Sequence, residues 1–450
     1  MRASPVKLIA SQLERLLVFV FLLIFAGVFW PPDGYLTPHG GKKGASNVFD
    51  AAAFSILAVF LLIVFFTHRR EVLRLSRCAW PVLALTGLAF LSAFWSDDPL
   101  LVLRRSGTVA LTTLFGVYLV VRSDMAECVA LLVKVYAVAM LASLAVIVVA
   151  PSVAIGGNET YVYAWRGAFS DKNTLGLACA LTIIFSVYAF RNRFGPRWLA
   201  VLAIVASLIL LKLSESKTPV VVMVVVLYAA IFANFLRRRN GVGLAVGFTL
   251  GIVGLGGAAL IILFMQDVLA LLGRDPTFTN RAKIWHYSIS YISHRPWLGY
   301  GYGAFWRLDS VEANQVWAMI EFQTPHAHNA WLELGLGIGI VGMGLIALNW
   351  LVGFYRVARL LTAPTAGHVA FCLALLTGIF MENLTEYEFF RQGNILWVLF
   401  VTAFVYLGRV AQSARIARRE SQPRGRPPAL PAGVTLADRL ARAGASRQPA

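Results

Sequence analysis

A chain of 450 residues with 58% hydrophobic and 14% charged side chains is not an ordinary soluble globule, which carries about 25% charge. Its apolar runs are about 20 residues long, the span of a bilayer core, and they lack the apolar–polar alternation of transmembrane β-strands. The 40 Lys and Arg against 22 Asp and Glu leave a formal charge of +18. These charges cluster in short loops and the C-terminal tail, which marks cytoplasmic loops of a membrane protein rather than a nucleic-acid surface.

Taken in chain order, the runs predict about twelve membrane helices, at 13–30, 48–67, 79–95, 102–121, 127–150, 173–190, 197–213, 218–236, 242–266, 329–352, 368–385 and 392–410. The first has no small-residue cleavage site before Trp30 and is followed by Pro31-Pro32, so it reads as a retained span. Cys78 and Cys128 fall in loops or at span edges, and Cys179 and Cys372 fall inside apolar runs, so neither a disulfide nor a zinc site is expected. With the N-terminus inside, about 25 of the 40 basic residues are cytoplasmic, which fixes the orientation with both termini inside. The expected organisation is one transmembrane unit over 1–411 with a large periplasmic loop at 267–328, then a disordered basic cytoplasmic tail over 412–450, rich in Arg, Pro, Ala and Gly.

In this orientation the remaining polar residues gather at the periplasmic side in four places. They are Trp95-Ser96-Asp97-Asp98-Pro99 with Arg104 and Arg105, the 151–172 loop, the 267–328 loop, and the turn from Glu382 to Glu388. A loop of about 60 residues in a tightly connected bundle points to function, so the active site is expected there.

Several constellations could carry chemistry. The segment from Asn280-Arg281 to Ile292 places Ile284, Tyr287, Ser288 and Tyr291 on one helical face, a short amphipathic helix at the membrane surface. Arg281 in its first turn opposes the helix dipole unless an anion is near; the alternative is snorkelling to lipid phosphates. From Pro296 to Trp306, glycines interleave with aromatic rings, including Tyr300 and Trp306. Such rings are interfacial anchors or platforms on which sugars stack. In the run from Thr324 to Glu333, His328 and Asn329 open the tenth span and Glu333 lies deeper. An ionisable group there is costly unless paired or functional, so His328 is a candidate general base, or else a capping histidine. The glycines at 335, 337, 339 and 342 read as close-packing positions. Before the sixth span, Asp171 is a candidate helix cap. Arg166 has no such local role and could join other arginines in a fork for phosphate or diphosphate. His326 and His328 could coordinate a metal, but no carboxylate pair or Asp-x-Asp element accompanies them and no His-Glu-x-x-His motif is present, so no metal is expected; with no Walker or Rossmann loop, no nucleotide cofactor is expected either.

These segments together resemble one family. His328-Asn329, nine residues, then Gly339-Ile340-Val341-Gly342 is similar to the signature of the O-antigen ligase and polymerase superfamily. Trp165-Arg166-Gly167-Ala168-Phe169 with Lys172-Asn173 resembles its earlier loop motif, and Asn280-Arg281 through Trp285 with Pro296 to Gly301 resembles its long-loop motif. Trp95 to Pro99 with Arg104-Arg105, and the Glu382 to Glu388 turn, look like its ExoQ-like exopolysaccharide branch. Met343, where ligases carry a small or β-branched residue, departs from the ligase pattern.

The resemblance implies an all-α, GT-C-like polytopic enzyme in a bacterial inner membrane. It implies inverting, metal-independent glycosyl transfer from an undecaprenyl-diphosphate-linked oligosaccharide to a growing polysaccharide acceptor. A flippase and a chain-length regulator are the implied partners, and nucleic acid is not one. It also implies that Arg166, Arg281 and His328 are catalytic. Arg105, Arg104, Lys172, Asn173, Asn329, Tyr300, Trp306, Glu382 and Glu386 are then candidates for binding substrate. The alternatives are a ligase transferring glycan to lipid A core and a transporter of lipid-linked sugar or small anions. Clustering of ionisable groups at one face, not at the bilayer midplane, opposes the transporter.

Overall fold

The computed structural model describes residues 5–28, 45–155, 164–237, 281–361 and 366–421. The predicted span 242–266, the start of the large loop including Asn280, and most of the 412–450 tail lie outside these. The described helices are α1 (Pro5–Phe25), α2 (Ala45–Cys78), α3 (Trp80–Leu91), α4 (Pro99–Arg122), α5 (Met125–Val149), α6 (Lys172–Asn192), α7 (Arg197–Ser214), α8 (Thr218–Arg237), α9 (Arg281–His294), α10 (Val311–Ile320), α11 (Ala330–Leu360), α12 (Ala366–Glu382) and α13 (Ile395–Ser421). Apart from 242–266, each predicted span falls on one of them. Eight are long and apolar enough to cross a membrane, and α3 and α12 are shorter apolar helices. Among the described residues the β content is a single bridge between Ile155 and Trp165.

The chain is helical even where its residues prefer strands. The start of α8 reads Thr-Pro-Val-Val-Val-Met-Val-Val-Val, but in lipid every backbone polar group must be satisfied within the segment, and a helix does this. Boundaries follow ordinary caps. Asp98 accepts the Leu101 N–H at the start of α4. Asp124 and Glu127 form a reciprocal capping box on α5. Asp171 caps α6 as expected, taking the Asn173 and Thr174 N–H groups at 2.9 and 3.0 Å.

Burial separates central from peripheral helices. Within the most apolar stretch of α13, 78% of residues are enclosed by protein, and in α6 72%, whereas α2 encloses 22% and α8 28%. Val59, Leu62 and Phe66 on α2 are exposed and form a lipid-facing stripe. Close pairs form through small residues: Gly116 of α4 abuts Val401 of α13, and Thr402 donates to the Gly116 carbonyl at 3.3 Å.

Two ends of the bundle differ. At one end Arg122 meets Glu14 at 2.7 Å, and Arg356 donates to the carbonyls of Phe404 at 2.9 Å and Cys78 at 2.5 Å. The other end carries the loops. There Trp95 Nε1 donates to the Leu298 carbonyl at 2.9 Å, the Tyr302 N–H to Ser92 Oγ at 2.9 Å, and the Ala330 N–H to the Asn383 carbonyl at 3.1 Å.

The described part of the large loop is a folded layer. Helices α9 and α10 pack around Ile284, Tyr300, Phe305, Trp306, Trp317 and Ile320. Tyr287 and Tyr291 lie against this core, so the expected amphipathic face of α9 is real, but it faces protein.

The layer is held by a break in α11. Ile338 (φ −133°) and Gly339 (φ +63°, ψ −166°) leave the helical conformation, which frees backbone groups on both sides. The loop supplies their partners: the Tyr300 and Gly301 N–H groups donate to the Leu336 and Gly337 carbonyls, each at 2.8 Å. In return the Ile340 N–H donates to the Pro296 carbonyl at 2.8 Å and Val341 N–H to that of Trp297 at 3.3 Å. The expectation that Gly339 serves close helix packing is therefore corrected: it permits a left-handed break, and a Cβ there would collide with the Trp297 backbone. Gly339→Ala should cost at least about 2 kcal/mol and lower the thermal midpoint in detergent. Gly344→Ala, in regular helix with no atoms near the added Cβ, should not lower the midpoint and should raise it slightly, as Ala favours helix over Gly.

Candidate active site

The segment 326–329 enters α11 through two caps. Asn329 is the N-cap: Oδ1 accepts the Trp331 and Leu332 N–H groups at 2.9 and 3.1 Å, and Nδ2 donates to the Leu384 carbonyl at 3.0 Å. Its side chain is thus spent on structure, and the cap is Asn329 rather than His328. One turn into the helix, buried Glu333 accepts the Ala327 N–H at 2.8 Å and Trp306 Nε1 at 2.9 Å through the same oxygen. Pinned on both sides, His328 is held in the left-handed region at φ +49°, uncommon for a residue with a Cβ.

The opposing wall is the turn after α12. Asn383 staples it, accepting the Glu388 and Phe389 N–H groups at 2.9 and 2.6 Å. The turn presents Glu386 with one carboxylate oxygen toward each of two cationic or basic groups. Oε1 accepts Arg281 Nη2 at 2.6 Å, and Oε2 is 3.1 Å from His328 Nδ1. Arg281 also donates to the Thr385 carbonyl. Arg281, His328 and Glu386, distant in sequence, therefore meet at one point of the loop-bearing end, with their side chains partly buried.

The electrostatics favour an ionised Glu386. Burial would raise its carboxyl pKa, but the His328 hydrogen bond and the Arg281 charge outweigh it and hold the group below its ordinary value. His326, whose ring centroid lies 4.2 Å from that of His328, has its pKa pushed well down by burial, then by the charges of His328, Arg391 and Arg281. Glu388 is pushed up to about 7 by burial, against the pull of Arg391. Arg391 contacts Glu388 at 3.1 Å, and Asn394 donates to the other oxygen of Glu388.

The other candidate residues are placed differently. Arg166 donates to the Val153 carbonyl at 2.7 Å and lies 3.5 Å from that of Ser170; it has no bond to Arg281 or His328. Its loop nevertheless reaches the same end, because the charge of Asp171 acts on Glu388. Lys172 opens α6, and Asn173 accepts from Ser216 at 2.9 Å. Arg104 is exposed, whereas Arg105 is buried, donates to the Gly303 carbonyl and faces Glu333 and Tyr302. Glu382 is buried, with Oε2 lacking a protein partner among the described residues.

Tyr300 and Trp306, expected as sugar platforms, are buried at 5% and 1% exposure. The Tyr300 hydroxyl is committed to the Tyr291 carbonyl at 3.1 Å, and the Trp306 indole to Glu333. Alternating glycines let the chain fold these rings inward. Trp297, at 69% exposure, is the ring in this motif left facing outward.

Sequence reasoning missed Arg391 and Arg307. Arg307 is buried, 3.0 Å from Asp309 and 3.9 Å from Asp98, and ties the loop to the start of α4. For Arg391 the available signal was a charge just outside an apolar run and three residues after Glu388. The histidine pair meets one carboxylate that no local motif announces. Among the described residues, His326, His328 and Glu386 are the group placed to hold a metal ion, because Glu386 arrives from a segment 58 residues away.

Comparison with known proteins gives two matches. Residues 202–347 match the family model described as O-Antigen ligase, a stretch that runs from α7 through the His328 segment and the broken part of α11. The exopolysaccharide production protein ExoQ of Rhizobium meliloti (strain 1021) is 26% identical over 329 residues, covering 68% of this chain and 72% of that protein. The matches show similarity to the O-antigen ligase family model over part of the chain and to one exopolysaccharide production protein, and they support a ligase- or polymerase-type activity in an integral membrane protein.

Proposed function

We propose that the protein polymerises exopolysaccharide repeat units at the periplasmic face of a bacterial inner membrane. Transfer is inverting, from an undecaprenyl-diphosphate-linked oligosaccharide to a hydroxyl of the growing polysaccharide. The observation that carries this reading is the sharing of Glu386 between His328 and Arg281. It sets a proton acceptor and a fixed cation side by side at the loop-bearing end.

The chemistry follows from that arrangement. With Nδ1–H directed at an ionised carboxylate, the lone pair of neutral His328 is on Nε2, which can take the proton of the attacking hydroxyl. The oxygen bonds to the anomeric carbon as the bond to the diphosphate breaks, and the bonding pair leaves with the diphosphate. Arg281 stabilises the charge growing on that group, with Arg166 as a second cation from the α6 loop. Guanidinium forks suit phosphate oxygens. Glu386 then has a positioning and electrostatic role, in place of direct substrate binding. A flippase would deliver the donor, and a chain-length regulator would act on the product.

A second reading, transfer of glycan to lipid A core or another acceptor, is favoured by the description of the matching family model. It uses the same donor and the same residues. Incubating purified protein with lipid-linked oligosaccharide alone separates the two, since a polymerase extends its donor without an added acceptor and a ligase does not.

In that assay His328→Ala should lower extension by at least about 10²-fold, the usual contribution of a general base; undiminished extension would remove His328 from catalysis. Extension by the wild-type protein should persist in excess chelator. Glu386→Gln should lower turnover and also change acid stability. The folded Glu386 carboxyl is more acidic than its ordinary 4.5, so its ionic tie adds stability at neutral pH that is lost as pH falls through the folded pKa. Thermal midpoints of wild type and Glu386→Gln should differ at pH 7 and converge in strong acid.

A further inference from the structure

We infer that His326, His328 and Glu386 form a binding site for a divalent transition metal of the zinc class, and that an ion bound there takes His328 out of proton transfer. One ligand atom from each residue lies within 4.8 Å of the others. His328 Nδ1 and Glu386 Oε2 are already 3.1 Å apart, close to the separation of two ligands on a tetrahedral ion with bonds of about 2.0–2.2 Å. The two imidazole rings are 4.2 Å apart between centroids, so a modest rotation of His326 completes the set. His326 Nδ1 accepts the His328 N–H at 3.1 Å, so it carries the lone pair of the ring, and coordination would exchange that hydrogen bond for the ion.

The ligands sit on two walls that are fixed independently. Glu333 holds the Ala327 backbone beside the histidines, and Asn383 holds the turn that carries Glu386. A site ordered in advance loses little conformational freedom on binding. Two imidazoles and one carboxylate select zinc, nickel or copper over magnesium and calcium, which favour oxygen donors. His326 and His328 are partly exposed, which admits the ion and leaves room for water as a fourth ligand. Arg281 opposes the ion by charge, but it occupies the other oxygen of Glu386 at 2.6 Å and orients the carboxylate as an outer hydrogen-bond partner does.

The inhibitory consequence rests on the reading of His328 as the base. An ion on His328 Nδ1 takes the place of the proton that faces Glu386, so the ring proton moves to Nε2; that nitrogen, read as the base, then has no lone pair with which to accept another. Metal on His328 therefore competes with the hydroxyl proton.

The test titrates zinc into purified full-length protein in detergent against a chromophoric chelator. One equivalent should bind, and His326→Ala and Glu386→Gln should each lose at least about 10-fold in affinity, as for removal of a ligand or its outer partner. His294→Ala, an exposed histidine on α9, should bind as wild type. Unchanged affinity in His326→Ala, or equal loss in His294→Ala, would overturn the site. X-ray absorption of the zinc-loaded wild type provides a readout independent of variant folding: two imidazoles in the coordination sphere support the site, and none overturns it. Zinc should also suppress chain extension reversibly in wild type. Failure of the metal-free protein to extend chains would count against the proposed function and leave the binding result standing.

Discussion

A backbone group at membrane depth cannot be left without a hydrogen-bond partner, and the interruption of α11 at Ile338–Gly339 creates several that need one. The segment from Pro296 to Gly301 meets that need with four backbone hydrogen bonds. Everything at the loop-bearing end follows from this docking. It brings Gly303 over Arg105, turns Trp306 inward onto Glu333, and lets Glu333 hold the Ala327 N–H that precedes His328. Two glycine-containing motifs about 40 residues apart thus make one structural unit, and the histidine is positioned by it.

The second constraint is electrostatic. Glu386 is largely buried, and a buried charge is tolerated when it is paired and hydrogen bonded. It is paired twice, with Arg281 and His328. Around it the chain uses neutral partners where it can: Asn383 and Asn394 on the turn, and the Thr385 carbonyl for Arg281. The burial that raises Glu388 to about 7 shows what happens to a carboxyl here with weaker cationic support.

Much of this was legible in the sequence. Hydropathy located most described spans to within a few residues, but α2, α11 and α13 run well beyond the predicted ends into arginine-bearing extensions, and α1 starts at Pro5, ahead of its predicted start at 13. The cap at Asp171 was read from residue type and position, and Asp98 and Asp124 cap their helices in the same way. His328 and Arg281 stood out because ionisable groups beside an apolar run demand a reason. What periodicity could not show was direction. Tyr300 and Trp306 read as interfacial anchors or as sugar platforms, and the turns made by positive φ at Gly299, Gly301 and Gly303 fold them into the core instead. The meeting of Glu386 with His328 is a tertiary contact with no local signature, and so is the role of Gly339, whose spacing also fits helix packing.

The single negative charge of Glu386 is divided between two neighbours, so the site works as a balance. Under the proposed mechanism, a proton arriving on His328 makes it a full imidazolium, which draws more strongly on the shared carboxylate. Arg281 is then held less firmly at the moment when the departing diphosphate most needs a counter-charge. Activation of the acceptor and stabilisation of the leaving group would rise together, linked through one side chain without any movement of the helices.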